Sequence, residues 1–236
     1  MRLLLLSHPL RADAPTWPGN RSAAAVELVH SYAAGDHDVT TALELYSHSG
    51  THVDTPWHFN PDGPAAWQLP IGAFAFDAPV VLEVPKPDGG FITRADLEPH
   101  AAALESADLA LLRTGWSALR TADPERYVHA GPLLHPDAAH WLIDAHPRLR
   151  AIATDAISIG SPREPEASVE THHILTGLGR TDGRFVLIYE DVAIVPEAAR
   201  ATRVYGWPLL VEGADGSPVT LVAELPDGAA DGGGGG

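Results

Sequence analysis

Eleven residues limit what this chain can become more than any other stretch. His48-Ser-Gly-Thr-His52-Val-Asp54-Thr-Pro-Trp-His58 gathers three histidines and an aspartate, with Gly50, Thr51 and Pro56 between them and no helical spacing of apolar residues. On an extended backbone side chains alternate, so His52 and Asp54 point the same way. Gly50 lets the backbone bend and swing His48 back toward His52. Pro56 turns the chain again, which returns His58 toward the same point. Neutral imidazoles with a carboxylate are a standard ligand set for Zn²⁺ or Mn²⁺, and three protein ligands leave a position open for water. A lone histidine is usually a solvated or hydrogen-bonded group. Four potential ligands at this density call for a metal site, with a pH-sensitive histidine cluster as the competing account.

Composition narrows the function further. The chain has 236 residues, 45% of them hydrophobic, enough for one sizeable core. It has no cysteine, which removes disulfides, cysteine zinc sites and thiol nucleophiles together. Fifteen basic residues stand against 31 acidic ones, a net charge of −16. Such a surface repels nucleic acid and anionic membranes, whose binding needs clustered Lys or Arg. The apolar run after Arg2 stops at Ser7-His8-Pro9, short of the ~7–15 residues of a signal-peptide core. No apolar run approaches the ~20 residues of a membrane span, and a cytoplasmic location is expected.

Periodicity and turn residues predict the elements. Residues 2–6 read as a short buried strand, Pro9 to Asn20 as loop, and Ala42 to Ser47 as a strand leading into the histidine-rich segment. Ala78 to Val84, Ala107 to Arg113, Arg150 to Thr154 and Phe185 to Tyr189 read as further strands. Thr93 is expected to cap a short helix with Asp96 in its first turn, and a second helix spans His135 to Ala145 from Pro136. Val169 to Leu178 has helical character, and Val204 to Val211 pairs with Pro218 to Leu225 as a hairpin. The tail, residues 227–236, is low in complexity and expected to be disordered, which leaves residues 1–226 as one domain.

The segment from His48 to His58 resembles the signature of the cyclase family, to which bacterial kynurenine formamidases and isatin hydrolases belong. The pattern His-x-Gly-Thr-His-x-Asp-x-Pro-x-His is matched at every fixed position. Weaker similarity extends over Leu6 to Leu10, Pro15 to Gly19, Leu112 to Trp116, Thr154 to Ser158 and Pro208 to Pro218. The resemblance implies an α/β fold, a single domain with a mixed central β-sheet, flanking helices and a swivelling β/β/α-like arrangement. It implies His48, His52 and Asp54 as metal ligands and His58 as the proton-transfer residue. It also implies a downstream His and Glu, matched by His172 and Glu190, often at a second zinc; His173 is the alternative to His172. The stretch between these two, through Gly179 to Gly183, is longer than usual and bears on that second ion. Zinc, as one or two ions, is expected, with manganese as the alternative. The implied reaction is hydrolysis of an aryl formamide such as N-formylkynurenine. A cyclic amide, or ring closure in secondary metabolism, uses the same ligands, and a non-enzymatic metal-binding protein is the reading from another class. An aromatic small molecule would need apolar walls, for which Trp17, Trp57, Phe59 and Trp67 are candidates. A homodimer or homotetramer is expected.

Overall fold

The computed structural model describes residues 1–21 and 24–227. The strands are β1 (Arg2–Leu5), β2 (Ala24–His30), β3 (Thr40–Leu45), β4 (His52–Asp54), β5 (Ala75–Phe76), β6 (Pro79–Glu83) and β7 (Phe91–Ile92). They continue as β8 (Leu109–Arg113), β9 (Leu133–Leu134), β10 (Ala151–Thr154), β11 (Leu187–Glu190), β12 (Arg203–Pro208) and β13 (Gly216–Leu225). The helices are α1 (Arg94–Leu97), α2 (Ala101–Leu104), α3 (Leu119–Ala122), α4 (Pro124–His129), α5 (Pro136–Ala145) and α6 (Pro165–Leu175).

A nine-stranded mixed sheet carries the fold, in the order β5-β12-β13-β4-β11-β10-β8-β6, with β1 also paired to β13. Strands β6, β8, β10 and β11 run parallel. The three-residue β4 is antiparallel to both of its neighbours, β11 and β13. Because side chains alternate, each strand feeds two cores. Val53, Leu109, Leu111, Ala151, Ala153, Leu187 and Tyr189 fill one of them. Ala110, Leu112, Ile152 and Ile188 fill the other, against Ala138, Leu142 and Ile143 of α5 and Ile174 and Leu175 of α6. Each fully buried leucine here stabilises the fold by roughly 1.5–3 kcal/mol relative to an exposed one. The same period of two puts His52, Asp54 and Glu190 on the helix-covered side, flanking Val53 and following Ile188.

The architecture agrees with the α/β expectation, with differences in detail. The first strand is peripheral rather than buried: Leu3 and Leu5 are 58% and 53% exposed, and only Leu6 beyond it is enclosed. The second strand, β2, lies where the sequence predicts none; among the described residues it pairs only with β3, in a separate two-stranded ribbon. That ribbon moves the start of β3 to Thr40, opposite His30. Helix α6 starts at Pro165, four residues early, because proline at the first helical position costs no hydrogen bond. It stops at Leu175, and Gly177 follows in the left-handed region at φ 76°. From residue 228 on, the glycine-rich tail lies outside the described residues.

Candidate metal centre

The backbone aims each ligand. Gly50 holds φ 60°, in the left-handed region, so the bend after His48 favours glycine. The bend places the Gly50 carbonyl where His52 Nδ1–H donates to it at 2.8 Å, which turns His52 Nε2 inward. Within α6, His172 Nδ1–H donates to the Ser168 carbonyl at 2.7 Å and frees its own Nε2 in the same way. Strand register sets Glu190 opposite His52. Glu190 Oε1 accepts from Ser158 Oγ at 2.8 Å and from the Ile159 amide at 2.6 Å.

These atoms converge. His52 Nε2 lies 3.3 Å from Asp54 Oδ1 and 3.4 Å from Glu190 Oε2. His172 Nε2 lies 3.5 Å from Glu190 Oε1 and 3.8 Å from Asp54 Oδ2. Beside them His48 Nδ1 meets Asp54 Oδ1 at 2.7 Å, and the His48 and His58 rings stack with centroids 3.9 Å apart. The ligand atoms of His48, Asp54 and His58 form one group within 4.8 Å, and those of His52, Asp54 and Glu190 form a second. Asp54 belongs to both.

A divalent cation fits this donor set. His52 Nε2 is buried with no hydrogen-bond partner although two carboxylates face it. A buried polar atom left so is costly unless something completes it. Electrostatics point the same way. Burial pulls the His48 pKa down, but Asp54 and Asp215 outweigh it and raise the group to about 9. Burial likewise opposes the charge on His52, yet Asp54 and Glu190 hold its pKa well above the ordinary value. Burial and Asp54 push Glu190 up, while His172 and His52 prevail and hold it at about 2. Burial raises Asp54, but His58 and His48 keep it well below the usual carboxylate range. The carboxylates thus favour the charged form, and His48, His52 and His172 are drawn toward holding a proton that a cation would replace.

His48, His52, Asp54, His58, His172 and Glu190 all face one cavity of about 360 Å³. Trp17 and Phe59 line it, with Phe59 stacked on His172 at 4.5 Å. Trp57 and Trp67 do not line it; each is 40% exposed. Trp57 shares a single 3₁₀ turn with His58, so the two side chains cannot both face inward. Pro15, Tyr46, Ile157 and Val169 take up the wall instead. His172, not His173, meets the carboxylates; the His173 ring stands edge-on to Phe59 at 5.7 Å. The long stretch before Glu190 leaves the His172–Glu190 approach intact at 3.5 Å.

One functional residue escapes a sequence reading. Asp215 Oδ2 accepts from His58 Nδ1 and His48 Nε2, both at 2.8 Å. It follows Gly213 and Ala214 in what reads as an ordinary hairpin turn. Its neighbour holds a faint signal: a Cβ on Gly216 would stand 2.7 Å from His48 Cε1.

Comparison with known proteins agrees with this geometry. Residues 4–161 match the family described as Putative cyclase. A kynurenine formamidase of Maricaulis maris is 30% identical over 235 residues, covering 94% of this chain and 97% of that protein. A kynurenine formamidase of Bacillus cereus is 29% identical over 218 residues, covering 92% and 94%. Among solved structures, isatin hydrolase A from Labrenzia aggregata bound to benzyl benzoate shares the fold, with a TM-score of 0.80 at 23% identity over 95% of this chain and 93% of that one. With its signature residues gathered at one cavity and two thirds of its length matched, the chain belongs to the cyclase family.

Proposed function

We propose that this member of the family hydrolyses the amide bond of an aryl formamide, with N-formylkynurenine as the reference substrate. The observation that carries the reading is the position of His58: beside the Asp54-centred ligands, in a mostly apolar cavity, with Nδ1 tied to Asp215 at 2.8 Å. A divalent ion, zinc or manganese, would be held by Asp54 with His52 and Glu190, with His172 and His48 beside the same carboxylates, and when bound would polarise the carbonyl and lower the pKa of water. The hydrogen bond to Asp215 orients the His58 ring and fixes its tautomer, which leaves Nε2 to take the proton from the attacking water. The water oxygen bonds to the formyl carbon and the C–N bond breaks. His58 returns the proton to the departing aryl nitrogen, giving formate and an aryl amine. Such acid–base help is worth ~10²–10⁴-fold. Trp17, Phe59, Ile157 and Val169 provide flat apolar contact for the ring and exclude water. The similarity to kynurenine formamidases over more than nine tenths of the chain supports this reading.

One observation favours a second substrate. No lysine or arginine occurs among the described residues lining the cavity, so a substrate carboxylate finds no permanently charged side chain there. A neutral cyclic amide, opened as in isatin hydrolysis, suits such walls. The deciding experiment is turnover with N-formylkynurenine and with isatin, with metal content read by elemental analysis on the same sample. Formamide turnover with zinc or manganese bound is the expected result. Isatin turnover alone moves the substrate to the cyclic amide. Metal without turnover of either compound keeps the site and moves the reading to another substrate, and turnover that survives substitution of His58 removes its proton-transfer role. No metal after zinc or manganese is supplied sinks the reading.

A homodimer is part of the proposal. In the β2–β3 ribbon Val26, Leu28 and Leu43 are 62%, 57% and 60% exposed, and the two strands pair only with each other. A lone two-stranded ribbon is marginal in water. A second copy of the chain covering it accounts for both facts, and light scattering that reports a monomer at working concentration would remove this part.

A further inference from the structure

Outside the ligand groups, one buried cluster has no part in the chemistry above. Asp191 follows Glu190 directly and is the one non-glycine residue with positive φ among the described residues, at 52°. A side chain in the left-handed region is strained, and such a residue persists when its surroundings hold it there. Here they do. Arg120 Nε donates to Asp191 Oδ1 at 2.7 Å, and Arg120 Nη2 to Oδ2 at 2.8 Å. Tyr127 Oη donates to Oδ1 at 2.6 Å. All three residues are buried, and a buried ion pair persists only while both partners are satisfied.

The main chain of Asp191 reaches the ligands from two sides. Its amide follows Glu190 and donates to the Ala156 carbonyl at 2.9 Å. Its carbonyl accepts from Thr51 Oγ1 at 2.6 Å, and Thr51 sits between Gly50 and His52. One residue therefore grips both the end of β11 and the entry to β4. Its carboxylate is anchored in turn to α3 and α4 through Arg120 and Tyr127.

We propose that Asp191, clamped by Arg120 and Tyr127, is a positioning residue that sets the spacing of Glu190 and His52 for the bound ion. The inference rests on the metal-site reading and is independent of the substrate. Ligand placement must be correct to within about 0.5 Å, so a clamp of this kind acts through geometry.

The test uses Co²⁺ as a spectroscopic probe, titrated into the full-length metal-free protein and followed by its visible absorption band. Tyr127→Phe removes one hydroxyl and is expected to weaken Co²⁺ binding ~10-fold and to shift the band. Asp191→Gly relieves the left-handed backbone while deleting the carboxylate, and is expected to cost up to ~100-fold. Asp191→Asn, which keeps a side-chain oxygen, falls between them. A merely structural role would lower the melting temperature and leave the band of the folded protein unchanged. If Asp191→Gly leaves Arg120 unpaired and fails to fold, Tyr127→Phe carries the test alone. A folded Tyr127→Phe or Asp191→Gly protein with native Co²⁺ affinity and band overturns the proposal. A native protein that binds Co²⁺ yet turns over no formamide ends the substrate reading and leaves this one standing. A native protein with no Co²⁺ band ends both.

Discussion

The two halves of the centre share Asp54 and are built differently. His52, His172 and Glu190 are 4–5% exposed, and main-chain groups of Gly50, Ser168 and Ile159 anchor them. His48 and His58 lie nearer the surface, and both lean on the carboxylate of Asp215, whose side chain is 35% exposed. An imidazole tied to a backbone carbonyl has one orientation and one tautomer. His48 and His58 depend instead on a side chain, the Asp215 carboxylate, for their orientation. On the proposed mechanism the deep half seats the ion and the shallow half carries the proton transfer.

That contrast can be broken in order of effect. Asp54→Ala removes the residue common to both halves. It should abolish ion binding and lower turnover by more than the ~10–100-fold that loss of a supporting partner costs; a variant that keeps its ion by elemental analysis contradicts the shared role. His58→Gln should lower kcat by ~10²–10⁴-fold while the deep half keeps its ion. Loss of the ion together with His58 would erase the division. Asp215→Asn weakens the hold on His58 without touching the deep ligands, so kcat should fall ~10–100-fold at unchanged ion content. Unchanged kcat would show that His58 needs no such anchor.

The smallest effect concerns pH. In the metal-free protein His48 holds its proton to about pH 9, and His52 holds its own well above the ordinary value. An ion needs neutral nitrogens, so loading at pH 7.5 must release protons. Affinity should climb about tenfold per pH unit for each proton displaced and flatten above the raised pKa values. Calorimetry in buffers of different ionisation enthalpy counts the protons, and a count of zero means the imidazoles are already neutral.

How much of this was legible depended on distance along the chain. The segment from His48 to His58 announced itself because its ligands are local and its bends rest on Gly50 and Pro56. The main strands could be read from alternation, and α5 from its starting proline. The ribbon strand β2 could not, because its Val26, Leu28 and Val29 face solvent and carry no inward-outward signal. Trp57 and Trp67 looked like cavity walls by nearness in sequence, yet Trp57 neighbours His58 on a tight turn and points another way, and Trp67 lies on a separate turn, Ala66–Gln68.

The residue types of the centre, the extended ligand strand and the exclusion of cysteine chemistry follow from the amino-acid order, since each depends on composition or on residues a few positions apart. Which late histidine turns inward, that Asp215 holds His58, and that Asp191 ties Glu190 to the His52 strand follow only from the folded chain. The Asp215–His58 and Asp191–Thr51 contacts join residues 157 and 140 positions apart. Sheet register and the packing of α6 create them, and no local pattern records where two distant strands will meet.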